Sequence, residues 1–273
     1  MTVATDTIHD AKSNFRWAVS DVLTIARRNM LAIVRVPTAL VFAILQPIMF
    51  VLLFRYVFGA GAISVPIPGG YVNYLIPGII VQTTIFGAVG TAIGLAEDLQ
   101  RGLIERFRAL PMARMAVLAG RTVSDLGRNV VVLIVMTLIG FAVGFRPHGG
   151  FVDYVLACLI TLLFAYCLSW GFAFVGLAAP NSEAAQAMTF PLIFPLIFVS
   201  GIFVPVDKMP GWLQGFATYQ PVSEVTKAVR YLMDGASPLL PNPGNAVWVS
   251  IIWSVGLIAL LGPLATAKYK KVA

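Results

Sequence analysis

Six long apolar runs without charged side chains constrain this sequence more than any other feature. A helix of about 20 mostly apolar residues crosses the roughly 30 Å hydrocarbon core of a bilayer. Hydrophobic residues make up 59% of the chain and charged residues 11%, whereas soluble domains are about 45–50% apolar and about 25% charged. The composition therefore excludes an ordinary soluble globule and predicts an all-α integral membrane protein with six transmembrane helices. These helices cover about 38–54 (with an extension to 58), 72–96, 129–145, 154–179, 184–204 and 246–267.

The distribution of lysine and arginine predicts the direction of the spans. With the N-terminus inside, fourteen of the 19 Lys and Arg residues lie in inner segments and five in outer segments. Cytoplasmic loops carry such an excess. We therefore expect a multi-pass protein of the cell (plasma or inner) membrane with both termini in the cytoplasm. The net charge of +7 follows from this bias, so no nucleic-acid partner is expected.

The apolar cores lack the groups that ion coupling and catalysis need. None of the six cores contains Asp, Glu, Lys, Arg or His, and intramembrane ionisable residues usually mark proton relays and ion sites. His9 and His148, the two histidines, lie outside the cores. The sequence contains neither a G-x-x-x-x-G-K-[ST] phosphate loop nor an H-E-x-x-H zinc motif. We expect no catalytic residue, no metal site and no ATPase activity in this chain, and no cofactor bound by it.

Residues 14–35 have the pattern of an amphipathic helix. Apolar side chains fall on one face and arginines on the other, which predicts an interfacial helix on the cytoplasmic surface of the membrane. This helix serves either as a lipid anchor alone or also as a contact for a partner. Its predicted apolar face consists of Phe15, Val19, Val22, Leu23, Ala26, Met30 and Ile33.

The inner segment 97–128 is longer and more charged than a simple connection needs to be. Glu97 and Arg101 have the spacing of a helical ion pair, and Gly102 interrupts the run. A short amphipathic helix follows, and Pro111 ends it. The segment either docks into a groove on a cytoplasmic protein or is a solvated loop.

The outer segment 205–244 has the pattern of two short helices. The sequence predicts them at Pro210–Ala217 and Pro221–Asp234, with Gly235 just past the end. Both are too short to span a membrane, so we expect a re-entrant or interfacial helical hairpin on the outer leaflet. An ordinary outer loop is the alternative. Two pairs on the polar face of the second helix have ion-pair spacing: Glu224 with Lys227, and Arg230 with Asp234.

The order of these parts and two local patterns together resemble one family. The segment GLIERFRALPMAR (102–114) is an acidic-basic helix pattern that ends at Leu110 and Pro111. The outer segment carries a Pro-x-x-x-x-Pro-x-Trp run, a Gln-Pro pair and an amphipathic helix. Nearly the whole chain resembles the permease subunit of ABC type-2 exporters, in particular the daunorubicin/doxorubicin-resistance permease family. The outer residues that match are Pro205, Pro210, Trp212, Gln220, Pro221 and Arg230.

The resemblance implies one ABC type-2 transmembrane domain (1–273) that works with a separate ATPase. Permeases of this family pair with an identical or homologous permease and bind two cytoplasmic ABC ATPase subunits, which hold ATP and Mg. The inner helix is then the coupling helix, and the N-terminal helix lies beside it. Carried over by position, the coupling residues are Glu97, Arg101, Glu105, Arg106, Arg108 and Pro111, with Arg27 and Arg28 as secondary candidates.

The resemblance also implies export of a hydrophobic drug, a lipid or a lipid-like natural product. For the polar groups of the spans, which are Gln46, Gln82, Thr83 and Thr84, hydrogen bonds between helices are favoured over contact with the cargo. The phenylalanines of the expected path are at least as well suited to packing or contact with lipid. A polysaccharide or glycolipid exporter permease of the same superfamily, an ion-coupled transporter and a non-transporting membrane scaffold are the alternatives. The expected path residues are Gln46, Phe50, Gln82, Phe86, Phe190 and Phe194.

Overall fold

The computed structural model describes residues 20, 22–30, 37–58, 69–103, 116–237 and 243–272, which are mostly helical. A π-helical turn, Leu53–Phe58, continues the second helix, and a 3-10 turn, Val206–Lys208, precedes the seventh. In chain order the helices are α1 (22–30), α2 (Pro37–Leu52), α3 (Gly70–Gln100), α4 (Ala116–Ala142), α5 (Phe151–Ala178), α6 (Ser182–Phe198), α7 (Gly211–Tyr219), α8 (Pro221–Asp234) and α9 (Pro243–Val272).

Four helices, α3, α4, α5 and α9, are long and apolar enough to cross a membrane. Shorter apolar helices lie at Ile44–Val57 and Ser182–Phe198. Each of the six predicted spans therefore coincides with an apolar helix, and the chain is a multi-pass helical membrane protein. That all six cross the bilayer completely stays a prediction.

Helix α3 is the centre of the bundle. Its most apolar 18-residue stretch is 72% buried within the protein, against 11% for α9. It packs against α5, α6, α4, α8 and α2. The crossing with α5 is tight, since a Cβ added at Gly176 would lie 2.4 Å from the carbonyl oxygen of Ala92. Small residues permit such approaches between membrane helices.

Helix α4 begins at Ala116, well before the predicted start of the third span at Asn129. The charges in its first half are paired against α3 rather than left to water. Arg121 donates from Nη1 to Asp98 Oδ2 at 3.1 Å, and Asp125 accepts a hydrogen bond from the Thr91 hydroxyl at 2.5 Å. The region predicted as one inner segment thus begins with the last turn of α3 and ends within α4.

The fifth apolar run is helical only in part. Helix α6 ends at Phe198, whereas the apolar run predicts a helix to Val204. The following chain turns at Gly201, where φ is +71°, a left-handed conformation that favours glycine. The run stays apolar beyond the helix because the turn is buried: Ile202 is 0% exposed and Phe203 3%.

Helix α1 packs against protein as well as facing outward. Ile25 and Ala26 are buried, and Ile25 belongs to a cluster that includes Leu95, Leu118 and Trp170. Leu23 and Met30, both predicted on the apolar face, are 57% and 41% exposed. The buried face is therefore rotated towards Ile25 relative to the prediction. Residues 14–19, 21 and 31–35 of the predicted helix lie outside the described residues.

Candidate functional site

A pocket lies between α2, α3 and α4, about halfway along α3. Its volume is about 100 Å³, well below the roughly 300–1,000 Å³ of sites that enclose a drug-sized ligand. Four of the six predicted path residues line it: Gln46, Phe50, Gln82 and Phe86. Arg128 and Asn129 of α4 also line it, and neither was predicted, because both fall where a loop was expected to meet the third span.

Two buried amide side chains of this pocket have amide atoms without hydrogen-bond partners among the described residues. Gln82 is 2% exposed and Asn129 1%. Gln82 Oε1 and both amide atoms of Asn129 bond to no described atom. The Thr83 hydroxyl, in contrast, donates to the Ile80 carbonyl at 2.7 Å, as the Thr84 hydroxyl does to Val81. These threonine bonds lie within α3 and do not join it to another helix, and among the described residues neither Gln82 Oε1 nor the amide of Asn129 makes a bond between helices.

The pocket wall carries a charge that the protein itself neutralises. Arg128 donates from Nη2 to the Gly87 carbonyl and lies 3.5 Å from Asp125 Oδ1. Asp125 is 2% exposed and is held by Thr91 on α3. Since a buried charge without a partner is strongly unfavourable, this pairing makes the wall suitable for an uncharged group.

The remaining two path residues lie outside the pocket but are connected to it by stacked rings. Phe194 is 43% exposed and stacks on Phe190, with 5.6 Å between ring centroids. The row of rings continues through the buried turn after α6 to the π-helical turn and α2. Its further contacts are Phe194 with Phe198 at 5.9 Å, Phe198 with Phe203 at 5.4 Å, Phe203 with Phe54 at 4.3 Å, and Phe54 with Phe50 at 6.1 Å.

The predicted coupling residues are described only in part. Glu97 and Arg101 form the predicted pair, with 3.6 Å between Arg101 Nη2 and Glu97 Oε2. Arg27 and Arg28 are exposed on α1, and the Arg28 guanidinium donates to Asn29 Oδ1 at 3.0 Å. Glu105, Arg106, Arg108 and Pro111 lie outside the described residues. No structural finding tests the coupling assignment.

Arg230 makes several polar contacts near the start of α3. Its guanidinium donates from Nε to the Tyr74 carbonyl at 2.9 Å, from Nη1 to Gly201 at 2.9 Å and from Nη2 to Ile202 at 2.8 Å. It lies over the Tyr74 ring, 3.6 Å from the centroid. Arg230 thus joins α8 to α3 and to the turn after α6.

The predicted ion pair of Arg230 with Asp234 is wrong, because the guanidinium is used by carbonyl groups. No ion pair joins the two among the described residues, whereas Glu224 and Lys227 form their predicted pair at 2.8 Å. Asp234 Oδ1 instead accepts from Asn73 Nδ2 at 3.1 Å and lies 3.8 Å from His148 Nδ1. Burial raises the pKa of Asp234 to about 7, although the Arg230 charge and the Asn73 hydrogen bond act to lower it.

Three prolines of the outer segment mark the starts of helices. Pro205 precedes the 3-10 turn, Pro210 precedes α7, and Pro221 is the first residue of α8. Prolines favour these positions because their missing N–H would have no helical partner there. Trp212 is 83% exposed. The two short helices stand where they were predicted, and their placement in the outer leaflet stays a prediction.

Apolar helices packed around a pocket lined by amide and aromatic side chains fit a membrane permease. Sequence comparison agrees with this class. The chain belongs to the ABC-2 type transporter family, whose profile matches residues 20–233.

Curated relatives cover most of this chain. It is 35% identical over 253 residues to the daunorubicin resistance ABC transporter permease protein DrrB1 of Streptomyces coeruleorubidus, which covers 93% of this chain and 87% of the relative. It is 28% identical over 218 residues to the probable doxorubicin resistance ABC transporter permease protein DrrC of Mycobacterium tuberculosis (80% of this chain and 78% of the relative). It is 23% identical over 226 residues to the putative transport permease ycf38 of Cyanophora paradoxa (82% and 78%).

Proposed function

We propose that this chain is the permease subunit of an ATP-driven exporter of a hydrophobic drug, a lipid or a lipid-like natural product. The observation that carries the proposal is the 35% identity, over 93% of the chain, to a daunorubicin resistance permease. Cargo leaves the cytoplasm or the inner leaflet. The neutral, aromatic-lined pocket supports an amphipathic cargo, and its small volume suits one part of a molecule rather than the whole.

The proposed machine contains further subunits. Two cytoplasmic ABC ATPase subunits bind ATP and Mg, and a second permease, identical or homologous, completes the path. This chain is not expected to hydrolyse ATP. Both of its termini are cytoplasmic, and the segment between α3 and α4 contacts the ATPase. The excess of Lys and Arg on the inner side supports that orientation.

The proposed mechanism transmits ATPase closure through the inner segment to α3 and α4. These two helices carry Gln82, Phe86, Arg128 and Asn129 of the pocket. A displacement of their inner ends changes the pocket directly, because each helix continues without a break from that end to the pocket. The aromatic row then extends the path towards α6.

Affinity purification from native membranes in mild detergent tests the assembly. We expect a protein with a phosphate loop to co-purify at one ATPase per permease. A chain that purifies without any nucleotide-binding partner, even after cross-linking, contradicts the proposal.

A paired variant tests the coupling segment. Glu105→Ala with Arg108→Ala should lower cargo-stimulated ATP turnover about tenfold or more, since a positioned interface is sensitive to loss of its charged contacts, and should leave membrane insertion intact. The control Asp207→Ala with Lys208→Ala removes an exposed acid-base pair, 3.8 Å apart, from the outer segment and should change turnover less than twofold. Equal turnover in both variants removes Glu105 and Arg108 from the coupling role.

A glycan cargo is the second candidate within the superfamily. The unpartnered amides of Gln82 and Asn129 favour it over an ionic cargo, because hydroxyl groups satisfy both donors and acceptors. Export that depends on a proton gradient and not on ATP would instead support an ion-coupled transporter. A stoichiometric partner without ATPase activity would support a scaffold.

A further inference from the structure

A second, larger cavity lies between α5 and α9, away from the pocket described above. It is an open groove of about 520 Å³, within the range that holds a sizeable ligand. Its walls come from Tyr166 and Trp170 of α5 and from Ile258, Pro263, Thr266 and Lys270 of α9. These α9 residues span about 18 Å along the helix axis at about 1.5 Å per residue. That length slightly exceeds one leaflet, which is half of the roughly 30 Å core.

The chemistry of the groove changes along its length. Ile258 and Pro263 make its deep part apolar, while Lys270 stands at its far end in the last turn of α9. Lys268 and Lys271 flank Lys270 in sequence. None of the ion pairs among the described residues involves these three lysines. The groove therefore combines a wall of apolar side chains with a positive end that has no ion-pair partner among the described residues.

Trp170 adds an aromatic ring to this wall. It is 7% exposed, and its indole Nε1 has no partner among the described residues. A buried tryptophan N–H usually finds an acceptor. This N–H is itself buried, so Trp170 offers the groove its ring and not its donor.

We propose that the groove between α5 and α9 binds one anionic phospholipid of the cytoplasmic leaflet. Its acyl chain lies along Ile258 and Pro263, and its phosphate lies at Lys270. A basic site between membrane helices at the cytoplasmic surface selects anionic heads. The proposal rests on the orientation proposed above, with the C-terminal end of α9 in the cytoplasm. It concerns lipid binding and is independent of the cargo.

Native mass spectrometry of the full chain in dodecyl maltoside tests the head-group preference. The probes are palmitoyl-oleoyl phosphatidylglycerol and phosphatidylcholine, which share acyl chains. We expect one phosphatidylglycerol per chain, bound about fivefold or more tightly than phosphatidylcholine. Lys270→Gln should weaken phosphatidylglycerol about fivefold, while Lys271→Gln, which removes the same charge outside the groove, should change it less than twofold. Equal affinity for both lipids, or equal effects of both variants, overturns the proposal.

A pair of glycine variants tests the location. Gly262 lines the groove and Gly256 does not, and an added Cβ meets no atom within 4 Å at either position. At both positions an added side chain therefore starts from open space. Gly262→Leu fills the groove and should lower phosphatidylglycerol binding about tenfold, because the acyl chain loses buried methylene groups. Gly256→Leu should leave binding within twofold, and equal effects of the two overturn the assignment to this groove. Because the permease is tested alone, a missing ATPase partner would contradict only the proposed function.

Discussion

Two buried asparagines differ in how far their hydrogen bonds are satisfied. Asn73 donates from Nδ2 to the Arg146 carbonyl at 2.8 Å and to Asp234, and its Oδ1 accepts from the Arg146 N–H at 3.2 Å. Asn129 has no described partner for either amide atom. An unsatisfied buried amide destabilises a fold, whereas a satisfied one contributes to it. Residues that reduce stability in this way often serve function.

The two asparagines should therefore respond oppositely to the same substitution. Asn129→Leu should raise the free energy of unfolding by about 1 kcal/mol, because it removes an unpaired amide. Asn73→Leu should lower it by about 2–4 kcal/mol, because it leaves Asp234 and the Arg146 backbone without partners. Thermal unfolding in detergent, followed by intrinsic fluorescence, measures both. A loss of stability in Asn129→Leu similar to that in Asn73→Leu would mean that Asn129 is a structural residue.

The carboxyl group of Asp234, at the end of α8, makes the free energy of unfolding depend on pH. Burial raises its pKa from 3.8 to about 7, so the native state binds the proton more tightly than the unfolded chain does. The free energy of unfolding should then fall as pH rises from about 4 to about 7 and change little from this group above that. Arg230 and His148 are the charged or titratable groups that face it.

Replacing Asp234 by asparagine should remove this dependence. Asp234→Asn keeps an acceptor for Asn73 and should match the native chain near pH 4, where the carboxyl is protonated. It should be the more stable of the two at pH 8. Unfolding midpoints at four pH values measure the difference, and His148→Gln in the same series separates the imidazole contribution. Parallel pH profiles for Asp234→Asn and the native chain would contradict the assigned pKa.

At the scale of elements, the crossing of α3 and α5 depends on a single glycine. A Cβ at Gly176 would lie 2.4 Å from the Ala92 carbonyl oxygen and 2.9 Å from its Cα. Both are backbone atoms, which cannot move aside as a flexible side chain does. Among the described helices, α3 and α5 pack against each other most extensively, and their backbones approach each other closely at this crossing.

Alanine at this position should separate the helices. Gly176→Ala should lower the free energy of unfolding by about 1–3 kcal/mol through overpacking. The matched control is Gly256→Ala on α9, where an added Cβ meets no atom within 4 Å. That variant should be neutral or more stable, since alanine favours helix over glycine by about 1 kcal/mol. Chemical or thermal unfolding compares them, and equal stability would contradict the close approach.

The sequence predicts the elements better than their ends. Apolar runs locate the spans because the bilayer requires about 20 such residues. They do not locate the start of α4, because Arg121 and Asp125 look solvated in sequence until their partners on α3 are known. They also do not locate the end of α6, because the buried turn at Gly201 is as apolar as the helix before it.

For the candidate site too, the sequence pointed to some of the residues that line the pocket and missed others. Polar residues within the apolar runs are few, which pointed to Gln46 and Gln82, and Phe50 and Phe86 were chosen from many aromatic residues. The four line one pocket, and their contact with cargo stays a prediction. Asn129 marks the start of a run and has no local signal that distinguishes it from a boundary residue. Arg230 has the spacing of a surface ion pair, and only the fold shows that three backbone carbonyls from distant segments surround it.

At the scale of the whole molecule, Arg230 joins parts of the chain that are far apart in sequence. Its acceptors belong to Tyr74 of α3 and to Gly201 and Ile202 after α6. Hydrogen bonds from a charged donor contribute about 1.5–3 kcal/mol each before the desolvation of the charge is counted. The start of α3 and the turn after α6 are therefore tied to α8.

Helix α4 begins within the inner segment and carries Arg128 and Asn129 twelve and thirteen residues later, about 18–20 Å along its axis. It contains no proline that would act as a joint. An unbroken rod moves as one piece, so its two ends cannot respond one after the other. In the proposed exporter, the state of the nucleotide and the shape of the pocket would change in the same step, and an ATPase that closed without altering the pocket would have to bend this rod.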